Sequence, residues 1–599
     1  MTDNLFYLII IKKDDMKRKL LLLVCVWCLL PLMAQTKWIN PLEQGENMVH
    51  GRWWNSELKD SYHRLTPRAE GTVRDVVWTL SKQSAGLSIC FHTNAPSVKV
   101  RYKVSRGLSM FHMPSTGVSG LDLFAKDADG QLRWCASRFN LSFKDTINYE
   151  FKDITYFTGE GRGYDFELFL PLYNEVTWLE VGVPEDRELR FLPASLEPPI
   201  VVYGTSVAQG ACASRPGMAW TNIVHRETDY PIINLGFSGN GLLEEEVFNL
   251  MAEIEAKLYI LDCLPNLATE RTELIYDRML RGVALLREKS DVPILLIEHC
   301  YSNGSASQQA VDWYMNSNLE QRRAYRALLE QGVKNLYYLP YDEMGFTIDF
   351  MVEGCHPNDL GMRQYADALN RKIHEIFPEA GMGDKTFWPR TQQRDWYDWR
   401  TRHELMLQRN RDEQPDIVLL GNSITHFWSD IVRKDAKQAK AYAKSWSKLF
   451  KGYVVHNQGF GWDRIENGLW RIAHGELDGF EAKKVFLLLG TNNIGVNSDE
   501  EIVEGMMMLI DAVQRHQPKA KIYQVGIMPR RGAEERVAAI NARVAERLKG
   551  TDVTYVDMSA GFLDGDGRLI ESLFVGDGLH PNEQGYAVEA KNLEPYVKE

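Results

Sequence analysis

Hydrophobic positions alternate with period two through the first third of the chain. In SVKVRYKVS, Val98, Val100, Tyr102 and Val104 alternate with Lys99, Arg101 and Lys103, the pattern of a strand with one buried face. GLDLFAKDADGQLRW sets Asp129-Gly130 between two apolar runs, a hairpin signal. VTWLEVGVP closes the region, and no convincing amphipathic helix interrupts it. A β-sandwich over 35–195 is the expectation.

From Pro198 the pattern changes. Short apolar strands, PIVVYG, PIINLGFSG, KLYILDCLPN, VPILLIEHC and KNLYYLPY, alternate with helical stretches such as LLEEEVFNLMAEIEA and TELIYDRMLRGVALLREK. That is the texture of a parallel sheet covered by helices. After a linker at 379–390 the order restarts with DIVLLGNS, YVVHNQGFG, KKVFLLLGTNN, KIYQVGIMPR and VTYVDMSA, and EEIVEGMMMLIDAVQRH reads as a helix between strands. Two α/β domains in tandem are predicted, at 196–378 and 391–599.

Ahead of these domains the chain reads MKRKLLLLVCVWCLLPLMAQ from Met16. Basic residues, a short apolar run and the small Ala34 describe a secretory signal over 1–34, with Met16 as the start. The alternative is a retained N-terminal anchor. Export, to the periplasm or beyond, is the expected localisation.

Composition narrows the function. Of 599 residues, 44% are hydrophobic and 25% charged, as in folded soluble proteins. A formal net charge of -12 leaves no excess of Lys and Arg to neutralise phosphates, so a nucleic-acid partner is not expected. Outside the leader the cysteines are Cys90, Cys135, Cys212, Cys263, Cys300 and Cys355. None lies in a CxxC pair, so neither a zinc site nor any other cofactor is expected. A disulfide between Cys212 and Cys263, which lie near the first candidate site, is one open pairing.

The candidate chemistry is duplicated. EGCHPNDLG begins at Glu353 and DGLHPNEQG at Asp577. Ser206 in YGTSVAQG, Gly239 in NLGFSGNG, Asn266 in DCLPN and His356 recur in order and at similar spacing as Ser423 in LGNSITHFW, Gly461 in NQGFGWD, Asn492 in GTNN and His580. All fall in loops beyond the carboxyl ends of predicted strands, where parallel sheets place their sites. A serine hydroxyl needs a base, and the base an orienting carboxylate. Glu353 with His356, and Asp577 with His580, supply both from one loop. The backbone N–H after the serine and that of the glycine, with the Asn amide, would face a developing oxyanion.

These blocks resemble those of the SGNH (GDSL-type) hydrolases. GNSIT, NQGFGWD, GTNN and DGLHP are similar to the platelet-activating-factor acetylhydrolase-like branch. GTSVAQG, NLGFSGNG, DCLPN and EGCHP resemble a second branch, and GLDLF at Gly120–Phe124 is similar to the GxDLY motif of the β-rich domain that precedes it. The resemblance implies two flavodoxin-like three-layer folds and esterase activity, foremost removal of O-acetyl groups from carbohydrates. It assigns Ser206, Glu353 and His356, and Ser423, Asp577 and His580, as catalytic, with Gly239, Asn266, Gly461 and Asn492 at the oxyanion. Two departures stand out, Glu353 where Asp is usual and Asn422 where GDS has its Asp. The alternatives are that one hydrolase domain is a decayed binding module, or that the substrate is a lipid ester. No amphipathic interfacial helix or long apolar lid speaks for the lipid. Asp463 reads as a pocket residue or an N-cap, and Glu298-His299 as structural.

Overall fold

The computed structural model describes residues 35–126, 130, 132–137, 144–156, 163–268, 271–299, 306–380, 397–429 and 443–599. The leader, Asp129 of the hairpin turn, Cys300 and most of the linker lie outside them. Among the described residues nine strands form the first region: β1 (Thr36–Ile39), β2 (Ser88–Thr93), β3 (Val98–Val104), β4 (Asp122–Lys126), β5 (Leu132–Cys135), β6 (Ile147–Phe151), β7 (Tyr164–Phe169), β8 (Val176–Pro184) and β9 (Arg190–Leu192). They make two antiparallel sheets, ordered β1-β8-β3-β6 and β5-β4-β7-β2-β9. Val98, Val100 and Tyr102 of one sheet and Ile89, Phe91 and Phe166 of the other meet in a single core, so the period-two pattern marks its buried face. β4 and β5 pair as the expected hairpin.

One feature departs from the sequence reading. A helix at Asp75–Ser81 does interrupt the β region. Seven residues are too few to display helical periodicity. Its Val77 and Trp78, with Trp54, Leu58 and Val73, pack among Val247, Phe248 and Leu261 of the first α/β domain. The segment between β1 and β2 is therefore a cover for the neighbouring domain.

The first α/β domain has five parallel strands, β10 (Ile200–Gly204), β11 (Ile232–Gly236), β12 (Leu258–Asp262), β13 (Ile294–Ile297) and β14 (Leu336–Leu339), ordered β11-β10-β12-β13-β14. Alternate residues face opposite layers: Val201 and Tyr203 point into one core, Ile200 and Val202 into the other. Burial on both faces is why these strands read as unbroken apolar runs. The second domain repeats the plan with β15 (Ile417–Gly421), β16 (Val455–Gly459), β17 (Lys484–Leu488), β18 (Lys521–Val525) and β19 (Thr554–Val556), ordered β16-β15-β17-β18-β19. In each, the first strand lies between the second and third. The strand order reverses beside it, which opens a crevice at its carboxyl end.

Candidate active sites

Both serines stand at that crevice. Ser206 opens the helix Ser206–Gln209 directly after β10, and Ser423 opens Ser423–Trp428 after β15. The preceding residue caps each turn: Thr205 Oγ1 accepts from Val207 N at 3.3 Å, and Asn422 Oδ1 from Ile424 N at 2.9 Å. Asn422 Nδ2 also donates to Leu488 O at 2.9 Å, so it braces the turn.

The histidines arrive from the last loop of each domain. Asn358 and Asn582 cap the helices Asp359–Ile376 and Glu583–Lys598, Asn358 Oδ1 accepting from Gly361 N at 3.0 Å and Asn582 Oδ1 from Gly585 N at 3.1 Å. The loop is pinned further by Val352 N to His356 O and Val575 N to His580 O, both 2.9 Å. Thus HPN is a histidine, a stiff residue and a cap. It aims the imidazole while starting a helix.

In the first site Ser206 Oγ donates to His356 Nε2 at 2.9 Å, and His356 Nδ1 donates to Glu353 Oε1. In the second the distances are 2.8 Å from Ser423 Oγ to His580 Nε2 and 2.6 Å from His580 Nδ1 to Asp577 Oδ2. Burial pushes the Asp577 carboxyl up, but hydrogen bonds from the His580 ring and from the backbone N–H groups of His580 and Leu579 outweigh it. The net shift is below the ordinary carboxylate value. Glu353 and Asp577 are both 44% exposed, whereas both serines are buried.

The oxyanion side differs from the sequence expectation at one position. After β11, Gly236 N donates to Asn234 Oδ1 (2.8 Å) and Phe237 N to Gly204 O (2.9 Å). After β16, Gly459 N donates to Asn457 Oδ1 (2.9 Å) and Phe460 N to Gly421 O (3.0 Å). In that shared register Gly461 matches Ser238. Their N–H groups are both tied to the side chain three residues after the serine, Ser238 to Gln209 Oε1 (3.0 Å) and Gly461 to His426 Nδ1 (3.2 Å). The next residue is left-handed in both, Gly239 at φ 70° and Trp462 at φ 66°. Gly239 therefore corresponds to Trp462, not to Gly461. Matching by residue type failed because a tryptophan holds the left-handed position that glycine usually takes.

The amides also differ. Asn266 Oδ1 accepts from Gly241 N at 3.1 Å, while Asn492 Nδ2 donates one hydrogen to Asp463 O at 2.9 Å and keeps another. Asp463 is neither pocket wall nor cap. It is fully buried and holds Trp399 Nε1 (2.8 Å) and Arg471 Nε (2.9 Å). Glu298 is buried on Arg322, Tyr338 and Tyr341, and His299 is buried beside it, consistent with structural roles. Cys212 and Cys263 are free thiols, so the pairing between them is not formed.

Neighbours that motif spacing cannot reveal complete the sites. His112, from the β-domain, stands over His356 with ring centroids 5.4 Å apart, and Phe427 stands over His580 at 5.2 Å. Buried Arg64, also from the β-domain region, donates to Asn234 O (2.9 Å) and Gly236 O (2.8 Å). In the second domain Arg402 donates to Gly459 O (2.9 Å) from the helix Trp399–Asp412. Asp122 of GLDLF accepts from Gly217 N (2.9 Å) and Trp134 Nε1 (2.7 Å) and pairs with Arg215, tying the sandwich to the first domain.

Comparison with known proteins agrees with this plan. A model described as the N-terminus of SGNH-hydrolase-type esterases matches residues 36–189. Models of the GDSL-like lipase/acylhydrolase family match 197–374 and 419–588. The platelet-activating factor acetylhydrolase IB subunit alpha2 of Rattus norvegicus is 28% identical over 205 residues, covering 33% of this chain and 83% of that protein. A crystal structure from Bacteroides ovatus, described as a GDSL-like lipase, is 32% identical with a TM-score of 0.52 and covers 57% of this chain and 98% of its own.

Proposed function

Because the chain belongs to the GDSL-like lipase/acylhydrolase family, we propose that it is an exported esterase with two working sites that removes acyl groups, O-acetyl foremost, from carbohydrates. The observation that carries this reading is the completeness of both Ser-His-acid chains, each at the carboxyl end of a first strand.

In each site the serine proton passes to His Nε2 as Oγ bonds to the ester carbonyl carbon. Glu353 or Asp577 holds the imidazole in the tautomer that accepts it and stabilises the imidazolium. The carbonyl oxygen becomes an oxyanion, met by the N–H of Gly239 or Trp462 and by the Asn266 or Asn492 amide. Collapse breaks the C–O bond, and the histidine returns its proton to the departing sugar oxygen. Water then attacks the acyl-serine and gives a proton to histidine, which returns it to the serine Oγ as the acyl C–Oγ bond breaks and the carboxylic acid leaves.

Exposed rings beside the sites favour a sugar. Phe111, next to His112, is 98% exposed, and Trp462 is 63% exposed. Flat aromatic faces of this kind suit the apolar faces of pyranose rings. The basic and apolar leader at 1–34 supports export, and among the described residues no helix is long and apolar enough to cross a membrane.

Acetate release from O-acetylated glycans tests the reading. Ser206→Ala and Ser423→Ala should each remove one component of the activity, and the double variant should fall by about 10⁴-fold or more. Undiminished release by the folded double variant would refute the mechanism. A serine-directed fluorophosphonate should label both Ser206 and Ser423. Labelling at one alone would identify the other domain as a binding module.

A further inference from the structure

The first triad has neighbours the second lacks. His112 reaches it from the β-domain loop closed by the Met110 and Met113 backbone pair. Cys212 reaches it from the turn after the nucleophile helix, is 7% exposed, and donates its thiol to His112 O at 3.5 Å. A ring nitrogen of His112, a ring nitrogen of His356 and Cys212 Sγ all lie within 4.8 Å of one another. His112 Nδ1 is buried and makes no hydrogen bond.

Two imidazoles and a thiol form a borderline-soft donor set. They suit Zn²⁺ over Mg²⁺ or Ca²⁺, which take oxygen ligands. Bonds of about 2.0–2.3 Å in a tetrahedron put ligand atoms roughly 3.5 Å apart, so the three groups need only close by about 1 Å. Among the described residues the second site offers no such set. Phe427 occupies the place of His112, and no cysteine follows Cys355 in the sequence.

We propose that His112, Cys212 and His356 form a binding site for a thiophilic divalent cation, Zn²⁺ foremost, and that its occupation silences the first triad while leaving the second working. The site itself stands on its donor geometry. The silencing rests on the reading of His356 as the catalytic base.

Both ring nitrogens of His356 are already engaged, Nε2 with Ser206 and Nδ1 with Glu353. Coordination through either one removes a link of the chain. As the S–Zn bond forms, the Cys212 thiol releases its proton to solvent, and the histidines bind through ring lone pairs with no electron transferred. At free Zn²⁺ about ten times Kd the unoccupied fraction falls to about one eleventh, so turnover at the first site drops about elevenfold.

Metal binding is read without any ester substrate by titrating the full-length protein with Co²⁺ and following the near-ultraviolet thiolate-to-cobalt charge-transfer band. One equivalent should saturate the band, and Zn²⁺ should displace it. Cys212→Ser should abolish it. So should His112→Phe, which copies the Phe427 contact and guards against a Cys212→Ser variant that does not fold. No band in the wild type, or a band that survives in folded Cys212→Ser or His112→Phe, overturns the site. Zn²⁺ should then inhibit acetate release by Ser423→Ala, reversibly with a chelator, and spare Ser206→Ala. Equal inhibition of both would overturn the selective silencing while leaving the esterase reading intact.

Discussion

Glu353 and Asp577 hold the same histidine nitrogen with side chains that differ by one methylene, and the loops absorb the difference. Asp577 divides its oxygens, Oδ1 accepting from His580 N (3.0 Å) and Leu579 N (2.9 Å) and Oδ2 from the imidazole. Glu353 uses Oε1 for both the His356 N–H (2.9 Å) and its ring. Gly578 turns left-handed at φ 64°, whereas Gly354 does not. Each acid therefore fits its own backbone. Glu353→Asp, measured in the Ser423→Ala background, should lower kcat about 10²-fold, because a shift of about 1 Å costs that much. Asp577→Asn, in the Ser206→Ala background, should lower it by up to about 10⁴-fold by permitting the wrong imidazole tautomer. In both cases thermal unfolding should be little changed. The paired acid-x-x-His spacing was legible in the sequence. The one-residue offset between Gly461 and Trp462 was not, since it depends on φ angles and on the partner of an N–H.

At the scale of elements, the repeated HPN and its later glycine unite placement of the imidazole with helix initiation. A Cβ on Gly361 would stand 2.2 Å from Phe350 O, and one on Gly585 2.2 Å from Leu573 O. A carbonyl in a pinned loop cannot yield as a flexible side chain can. Gly585→Ala should therefore destabilise the second domain by about 1–3 kcal/mol and lower its kcat by displacing the His580 loop. Asn582→Ala removes the cap and the bond from Asn582 Nδ2 to Ser572 O (2.8 Å), and should cost about 1–2 kcal/mol. Unfolding followed by circular dichroism, with single-site kinetics alongside, checks both. The strands and long helices were legible because their apolar periodicity is strong. The helix Asp75–Ser81 was hidden by its shortness and by burying its face against another domain.

At the scale of the whole molecule, the two α/β domains are locked together by polar contacts. Tyr230 stacks on His474 (4.6 Å), Lys257 Nζ donates to Ala473 O (2.7 Å), and His474 Nδ1 meets Glu197 Oε2 at 2.8 Å. A cavity of ≈ 130 Å³, lined by His50, Glu167, Asp229, Arg400 and Glu404, lies where the three domains meet, apart from both triads. His516 bonds Asp478 (2.7 Å) within its own domain and Glu379 (3.2 Å) at the start of the linker. Burial opposes its charge, but these two carboxylates overcome the penalty and raise its pKa from 6.5 to about 9. A raised folded pKa means that the native state holds the proton more tightly. The stabilisation is complete below about pH 6.5 and is lost as pH rises to about 9, on the order of 3 kcal/mol. The melting temperature should fall across that window, and His516→Gln should be less stable at pH 6 with a flatter profile.

The sequence alone determined the sandwich, the two parallel sheets and both Ser-His-acid chains, because each is written in local periodicity or in short motifs that one loop contains. Tertiary structure alone decided what stands around them. Arg64, His112 and Asp122 reach the first domain from a separate β-domain, and Arg402 reaches the second from a helix without a motif. The expectation of no metal site rested on local cysteine spacing. His112, Cys212 and His356 are far apart in the chain and become neighbours only when two domains dock. Contacts of that kind depend on which surfaces bury each other, and no pattern within a single segment records it.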